Sequence, residues 1–400
     1  MNTKNQIQAS SIYEYLAWRG DLPFESVPPN EVDSLIFSLL SYIEFEGFVP
    51  GAFESEKKKA VLLTVTKDFL RAQNGEIPSM GLIIPKEIVT LLARAAKSAR
   101  FGLTRPFGYV SKICDNEQKQ FSAICFDIGG GDTFVAFRGT DDTLVGWKEN
   151  FNMSFMSTVP AQREALEYLE EAAAATKGKL YVGGHSKGGN LAVFASVKAS
   201  EKTRERIETV YNHDGPGFGA EFIHSEEYSQ MRSKISTLVP QSSVVGMMLE
   251  HEESYTVVKS RSAGLLQHNG LSWEVMGPNF VRLDSISEES KLIDTSLKAW
   301  LAELSVSERE AVVDSLYEAL SEQGAKTLSD IGSDKIKLIR AWSAMDNEAR
   351  NQLRKCIGII FGRKKQPKEI KALKDPKENK EDKEDKENKE NKENKEKDSL

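Results

Sequence analysis

Strand-like and helix-like segments alternate between residues 179 and 259, and this alternation constrains the fold of the 400-residue chain more than any other feature. Short apolar runs predict strands, and the longer stretches between them predict helices. The predicted strands are 179–183, 207–211, 234–239 and 255–259, and the predicted helices are 187–198, 221–231 and 243–250. Because parallel strands need crossover connections, which are usually helical, the sequence predicts an α/β fold with a largely parallel sheet flanked by helices.

Helical patterns flank this region on both sides. Apolar residues recur three and four positions apart between Val32 and Ile43, and Ser307 with Glu310 has the spacing of a capping box. Before the alternating region, the predicted strands are 107–113, 120–127 and 133–137. From Lys374 to the end, Lys, Glu and Asn or Asp repeat with almost no apolar area to bury, which indicates disorder. We therefore expect a helical extension over 1–97, an α/β core over 98–284, a helical region over 285–362 and a disordered tail over 363–400.

Charge and composition exclude several classes of partner. The chain has 53 basic and 60 acidic residues and a net charge of −7, so it offers no domain-wide basic surface for nucleic acid. No apolar run reaches the length of about 18 residues that a membrane-spanning helix needs. The start of the chain lacks the apolar stretch of a secretory signal, and the three cysteines are too scattered for a disulfide framework. We therefore expect a cytoplasmic protein without a membrane span.

The most informative segment is a serine between a predicted strand and a predicted helix. Gly184-His185-Ser186-Lys187-Gly188 has the pattern G-x-S-x-G, follows an apolar run and opens a helix-forming run. A strained turn of this kind presents a serine hydroxyl to a base, and small neighbours let the strand and the helix pack closely. The backbone N–H of Lys187, at the helix start, can stabilise an oxyanion. Ser186 is therefore the candidate nucleophile.

This segment resembles the nucleophile elbow of the α/β-hydrolase superfamily. Upstream, Arg138-Gly139-Thr140 followed by Trp147 resembles the oxyanion segment and downstream tryptophan of class 3 lipases. The same segments are similar to a largely uncharacterised bacterial family of lipase-like α/β hydrolases, and the likeness extends over about residues 30–280. The resemblance implies an α/β-hydrolase fold with helical N- and C-terminal extensions. It also implies that Thr140 supplies a second oxyanion contact through its N–H and hydroxyl.

Two positions depart from the class 3 pattern. Asn150 stands where those lipases usually have an acidic residue, three positions after the tryptophan, and Ser243 stands where their triad acid follows a strand. The acid must then come from elsewhere. Asp214, at the end of the strand after the elbow helix, is the best candidate, because a carboxylate there can accept from an imidazole Nδ1–H. Glu250 is the second candidate. As part of Asp-Gly-Pro-Gly, Asp214 would also suit a plain turn.

The base is sought among the four histidines that follow the candidate nucleophile, since the superfamily order is serine, acid, histidine. His268 fits best, because it precedes a predicted strand, 271–276, that contains Trp273, as in lipase-like families. His251 lies at a predicted helix end, where capping is the simpler explanation. His224 is typical of a solvated helix position.

Together these residues predict a serine esterase or lipase-like hydrolase that cleaves a carboxylic ester, such as a lipid acyl ester, through an acyl-enzyme. Ser186 would attack, His268 would transfer the proton and Asp214 would orient His268. Thr140 and the Lys187 N–H would hold the oxyanion. No cofactor is required, and the sequence has neither a phosphate-binding glycine motif nor residues at metal-ligand spacing. The alternative is a non-catalytic hydrolase-fold module that binds a ligand or a protein, which the missing class 3 acid favours.

Overall fold

The structure is a computed structural model and describes residues 10–361 except 52, 54–59, 75, 79, 82–83, 154–155 and 333–334. The tail predicted over 363–400 lies outside the described residues. The described helices are α1 (Ile12–Arg19), α2 (Glu31–Leu40), α3 (Leu62–Ala72), α4 (Glu87–Ala95), α5 (Ala99–Gly102), α6 (Leu144–Asn152), α7 (Pro160–Ala175), α8 (Lys187–Lys198), α9 (Glu201–Arg206), α10 (Ala220–Ile223), α11 (Glu226–Met231), α12 (Glu288–Glu303), α13 (Val306–Ser321), α14 (Leu328–Gly332), α15 (Lys335–Ala344) and α16 (Asn347–Phe361). The described strands are β1 (Arg105–Cys114), β2 (Lys119–Gly129), β3 (Asp132–Phe137), β4 (Leu180–His185), β5 (Ile207–His213), β6 (Ile235–Pro240), β7 (Tyr255–Val258), β8 (Val275–Met276), β9 (Asn279–Phe280) and β10 (Arg282–Leu283).

One large sheet organises the described part of the chain. Its eight strands follow the order β1-β2-β3-β4-β5-β6-β7-β10. Strands β3 to β7 are parallel, whereas β1, β2 and β10 join the two ends of this parallel set in antiparallel pairs. The parallel strands therefore end at one common edge, and the loops that leave their carboxyl ends meet there.

Both faces of the sheet are covered by apolar clusters. Because successive strand residues point to opposite faces, Phe134 and Ala136 of β3 pack with the N-terminal helices, whereas Val135 and Phe137 pack with α7 and α8. A sheet buried on both faces explains why its strands appear in the sequence as nearly continuous apolar runs. The expected α/β-hydrolase fold, with a largely parallel sheet flanked by helices and helical extensions at both ends, is confirmed.

Helix α2 shows that the N-terminal extension forms one layer of the core. All ten residues of this helix are buried, and it packs against β4. Asn30 caps the helix by accepting from two backbone N–H groups of the first turn. Glu31 accepts from the N–H of Phe280 at 2.7 Å and from Arg282 at 2.8 Å. The first turn of α2 is thus tied to β9 and β10, about 250 residues away in the chain.

A buried ion pair holds this N-terminal layer together. Arg100 donates to both carboxylate oxygens of Asp33, through Nη2 at 2.6 Å and through Nε at 2.9 Å. Neither side chain is exposed. The Tyr15 hydroxyl also donates to Asp33, at 2.7 Å, and three backbone carbonyls accept from the guanidinium. Both charges are therefore fully hydrogen-bonded, which makes their burial tolerable.

Two predicted helices differ from the structure. The helix predicted over 243–250 is a single 3₁₀ turn, Val245–Met247, and a carbonyl in this turn accepts from Nε2 of His251 instead of from a helix N–H. His251 is therefore not at a helix end. The helix predicted over 221–231 is divided into α10 and α11, because the Ser225 side chain caps the second one.

The strand predicted over 271–276 and one capping box also need correction. The chain first forms a 3₁₀ turn capped by Asn269, and within the predicted range only Val275–Met276 form a strand. The capping box predicted from Ser307 lies two residues earlier, at Ser305 with Glu308. In both places a polar side chain that accepts from a backbone N–H decides where the helical turn begins.

The C-terminal helices are attached to the loop that follows β3. The N–H of Leu144 donates to the carbonyl of Lys326 at 3.0 Å, and the N–H of Leu328 donates to the carbonyl of Asp142 at 2.9 Å. Contacts group Met1–Cys356 into one compact unit and assign the remaining residues to a second. The four-part division expected from the sequence stays a prediction. Among the described helices, none is long and apolar enough to cross a membrane.

Replacing Asp33 by alanine should lower the free energy of unfolding by about 3–5 kcal/mol, because Arg100 would remain buried with an unpaired charge. The control is Asp68→Ala, since Asp68 pairs with Arg71 on the surface, where the side chains are 52% and 80% exposed. This control should lose at most about 0.5 kcal/mol. Urea unfolding measures both changes, and equal small losses would contradict a role of Asp33 in holding the N-terminal layer.

Candidate active site

Ser186 occupies a strained turn between β4 and α8. Its backbone has φ 58° and ψ −132°, a conformation that residues with a Cβ rarely adopt. The N–H of Ser186 donates to the carbonyl of His213 at 2.9 Å, and the carbonyl of Ser186 accepts from the N–H of Gly189 at 2.9 Å. These bonds hold the turn at the carboxyl edge of the sheet. The predicted nucleophile therefore lies in a strand–turn–helix element of the expected kind.

Two glycines around the turn are required by close contact. A Cβ added to Gly184 would lie 2.1 Å from the carbonyl carbon of Gly188, and a Cβ added to Gly188 would lie 2.2 Å from the carbonyl oxygen of Phe137. The first turn of α8 thus packs directly against the ends of β3 and β4. The spacing of glycines in G-x-S-x-G follows from this packing.

His268 and Asp214 are in direct contact. Nδ1 of His268 donates to Oδ2 of Asp214 at 2.6 Å, and the Asp214 side chain is fully buried while that of His268 is 28% exposed. The other carboxylate oxygen, Oδ1, accepts from Oγ of Ser243 at 2.5 Å. With its proton on Nδ1, a neutral imidazole keeps a lone pair on Nε2, which is the tautomer that a general base needs.

His185, the residue before Ser186, joins the loop of His268 to the elbow. Its Nε2 donates to the carbonyl of His268 at 2.7 Å, and the two imidazole rings lie 4.6 Å apart. Nδ1 of His185 lies 3.3 Å from the hydroxyl of Tyr42, which can donate to it. Burial lowers the pKa of His185 well below its usual value. The neutral ring therefore donates from one nitrogen and accepts at the other, and it ties the backbone of His268 to the residue before Ser186.

Ser243 stands at the position of the class 3 acid. In this structure its side chain hydrogen-bonds to Asp214, the first of the two acid candidates. Oγ of Ser243 accepts from the N–H of Gly246 at 3.0 Å, so its own proton is directed to Asp214. Glu250, the second candidate, is exposed and pairs through its backbone with the loop between β5 and α10. Of the two acid candidates, the fold brings Asp214 to His268.

Both predicted oxyanion residues lie at the elbow. Thr140 is buried in the loop after β3, and this loop contacts the elbow so closely that a Cβ on Gly139 would lie 2.5 Å from the carbonyl oxygen of His185. Oγ1 of Thr140 accepts from Nδ2 of Asn150 at 2.5 Å. In this arrangement the hydroxyl proton of Thr140 stays available to an oxyanion. Lys187 begins α8, where backbone N–H groups have no partner within the helix.

Sequence reasoning gave no supporting role to His185, Ser243 or Asn150, although each now contacts a predicted site residue. His185 lies inside the G-x-S-x-G motif, and the other two are the positions that depart from the class 3 pattern. For Ser243 and Asn150, the sequence signal was the departure of a polar residue from the class 3 pattern. Among the described residues, no group of three or more His, Cys, Asp or Glu could hold a metal ion.

His213 is a buried histidine beside the site. Its Nε2 lies 2.5 Å from Oγ of Ser34 in α2, and burial lowers its pKa to about 3. The folded protein therefore holds this ring neutral at a pH where an unfolded chain, with a histidine pKa of about 6.5, would protonate it. Stability from this group is present above the unfolded pKa and is lost as the pH falls below it.

Two comparisons with known proteins give matches. A family model described as Mbeg1-like matches residues 95–318, more than half of the chain. This match confirms the predicted resemblance to a family of lipase-like hydrolases. Among solved structures, the chain is similar to one titled "Crystal structure of M37 lipase", with 15% identity and a TM-score of 0.30 over 54% of this chain and 68% of that one. No curated protein matches the sequence.

Between pH 7 and pH 5, the burial of His213 should remove about 2 kcal/mol from the free energy of unfolding. His213→Gln can still bond to Ser34. Over the same pH interval its free energy of unfolding should fall by about 2 kcal/mol less than that of the wild type. Urea unfolding at both pH values measures the difference, and any constant cost of the substitution cancels. His224→Gln is the control at an exposed position and should behave as wild type. Equal losses in wild type and His213→Gln would contradict the prediction.

Proposed function

The chain belongs to the Mbeg1-like family, and from the arrangement of its site we propose that it is a serine hydrolase with esterase or lipase character. The observations that carry the proposal are the 2.6 Å bond from His268 to the buried Asp214 and the bond that ties the His268 backbone to the residue before Ser186, which lies in a strained elbow. Nucleophile, base and orienting acid are the three roles that acyl transfer through a serine needs.

In the proposed reaction, Ser186 attacks the carbonyl carbon of an ester while Nε2 of His268 takes its proton. Asp214 stabilises the imidazolium that forms. The negative charge that develops on the carbonyl oxygen accepts from the N–H of Lys187 and from Thr140. Collapse of the tetrahedral intermediate expels the alcohol, which receives the proton from His268, and leaves an acyl-enzyme. Water, activated by His268, then releases the acid.

Two exposed leucines near His268 in the chain support an ester with an apolar acyl group, such as a lipid acyl ester. Leu265 and Leu266 precede His268 in a 3₁₀ turn, and they are 41% and 73% exposed. Exposed leucines next to a catalytic base offer apolar surface to an acyl chain. We assign no cofactor to this reaction, because each step uses only side chains and backbone groups of the chain.

A fluorophosphonate probe should label the wild-type protein, because it reacts with activated serines. Ser186→Ala should abolish the labelling while the protein keeps its melting temperature, since Ser186 is only half-buried at a turn. Gel fluorescence measures the labelling. Persistent labelling of Ser186→Ala would assign the reactivity to another serine. An unlabelled wild type would favour the non-catalytic binding module instead.

Asp214→Asn should reduce kcat for a short p-nitrophenyl ester by a factor of about 10²–10⁴ with a smaller change in KM. The amide can donate to Nδ1 and so stabilises the wrong tautomer of His268. Glu250→Gln is the control, because Glu250 is exposed, and its kcat should stay near that of wild type. Full activity of Asp214→Asn would remove this residue from the triad, and full activity of His268→Ala would refute the triad altogether.

A further inference from the structure

A buried ion pair involves Lys187, the residue after Ser186, and includes none of the three proposed triad residues. Nζ of Lys187 is 2.9 Å from Oε2 of Glu149, and neither side chain is exposed. The ammonium also donates to the backbone oxygen of Gln120 and to its Oε1, both at 2.6 Å. All three ammonium protons therefore have an acceptor.

Glu149 connects this ammonium to three elements of the core. Its Oε2 accepts from the N–H of Gln120 in β2 at 3.1 Å, and its Oε1 accepts from the N–H of Ala161 in α7 at 2.8 Å. The carboxylate itself belongs to α6. The two N–H groups need an acceptor, but an uncharged side chain could supply one without the desolvation cost of burying two charges. Stability alone therefore does not account for the charges.

The position of the ion pair relates it to the oxyanion. Lys187 directly follows the nucleophile, and its backbone N–H is the donor that the proposed reaction uses. A lysine side chain fixed at its far end by three hydrogen bonds restrains the backbone that carries it, because its rotamers are no longer free. Glu149 also neighbours Asn150, which bonds to Thr140. Consecutive residues of α6 thus contact both oxyanion residues.

We propose that Glu149 is a positioning residue of the oxyanion hole, which acts through Lys187 while Asn150 acts through Thr140. This inference rests on the proposed function and adds to it a role for α6. Oxyanion stabilisation depends on donors that are placed before the reaction, so a small displacement of the Lys187 N–H reduces kcat more than substrate binding.

The test uses the double variant Lys187→Met/Glu149→Met in the full chain. It removes both buried charges together and keeps two unbranched side chains. Because the N–H groups of Gln120 and Ala161 lose their acceptor, the melting temperature of the variant is measured first. With a short p-nitrophenyl ester, kcat should fall about 10- to 100-fold while KM stays within about threefold. A trifluoromethyl ketone, which forms an oxyanion with the serine, should bind more weakly by the same factor as kcat/KM falls.

Lys148→Met/Asp314→Ala is the matched control. Lys148 is the preceding residue of α6, and its Nζ pairs with Asp314 of α13 at 2.8 Å, away from Lys187. This control should change kcat by less than about twofold. Glu149→Asp is the second variant, because it keeps the charge and shortens the side chain by one methylene. Glu149→Asp should lower kcat and ketone affinity by similar factors. If Lys187→Met/Glu149→Met does not fold, Glu149→Asp alone tests the inference.

The outcomes separate this inference from the proposed function. If the fluorophosphonate probe does not label wild type, the proposed function fails and the inference fails with it. If wild type is labelled and the variants at Glu149 keep wild-type kcat and ketone affinity, only the inference is overturned. A loss of kcat without a matching loss of ketone affinity would show that the ion pair has only a structural role. An equal loss of kcat in Lys148→Met/Asp314→Ala would show the same.

Discussion

The close packing of the first turn of α8 against the ends of β3 and β4 is the constraint on which the rest of the site depends. No Cβ fits at Gly184 or Gly188 without contacting backbone at about 2 Å. This packing forces Ser186 into its strained turn and brings the loop with Thr140 against the elbow. The strain persists because neighbouring backbone hydrogen bonds fix the turn on both sides.

The polar groups of the site are held from both sides of the sheet. From the N-terminal layer, α2 reaches His213 through Ser34, and Tyr42 reaches His185. From the opposite side, α6 reaches Thr140 through Asn150. The N-terminal layer therefore contributes to the site together with the strands, because its buried hydroxyl groups hydrogen-bond to the imidazole rings of His213 and His185.

The C-terminal helices contact two loops at the carboxyl edge. Besides its bonds to the loop after β3, this region donates from the N–H of Ser287 to the carbonyl of Gln241 at 2.8 Å, and from the hydroxyl of Ser290 to the carbonyl of Ser243. One of these loops holds Thr140 and the other supports Asp214. The helical region thus contacts both the loop that holds Thr140 and the loop whose Ser243 bonds to Asp214.

The sequence by itself predicted the α/β architecture, the strand–turn–helix at Ser186 and a candidate residue for each proposed catalytic role, because apolar periodicity and glycine spacing are local signals. It failed for residues 243–250, where a histidine bond replaces a helix. It ranked Asp214 above Glu250, but only the structure shows that Asp214 contacts His268. The sequence also could not reveal the pair of Glu149 with Lys187, which are 38 residues apart. Each of these contacts joins residues from the ends of neighbouring strands or from different layers of the fold. Only the tertiary structure decides them, because the sheet register that brings such residues together is set by packing over the whole core.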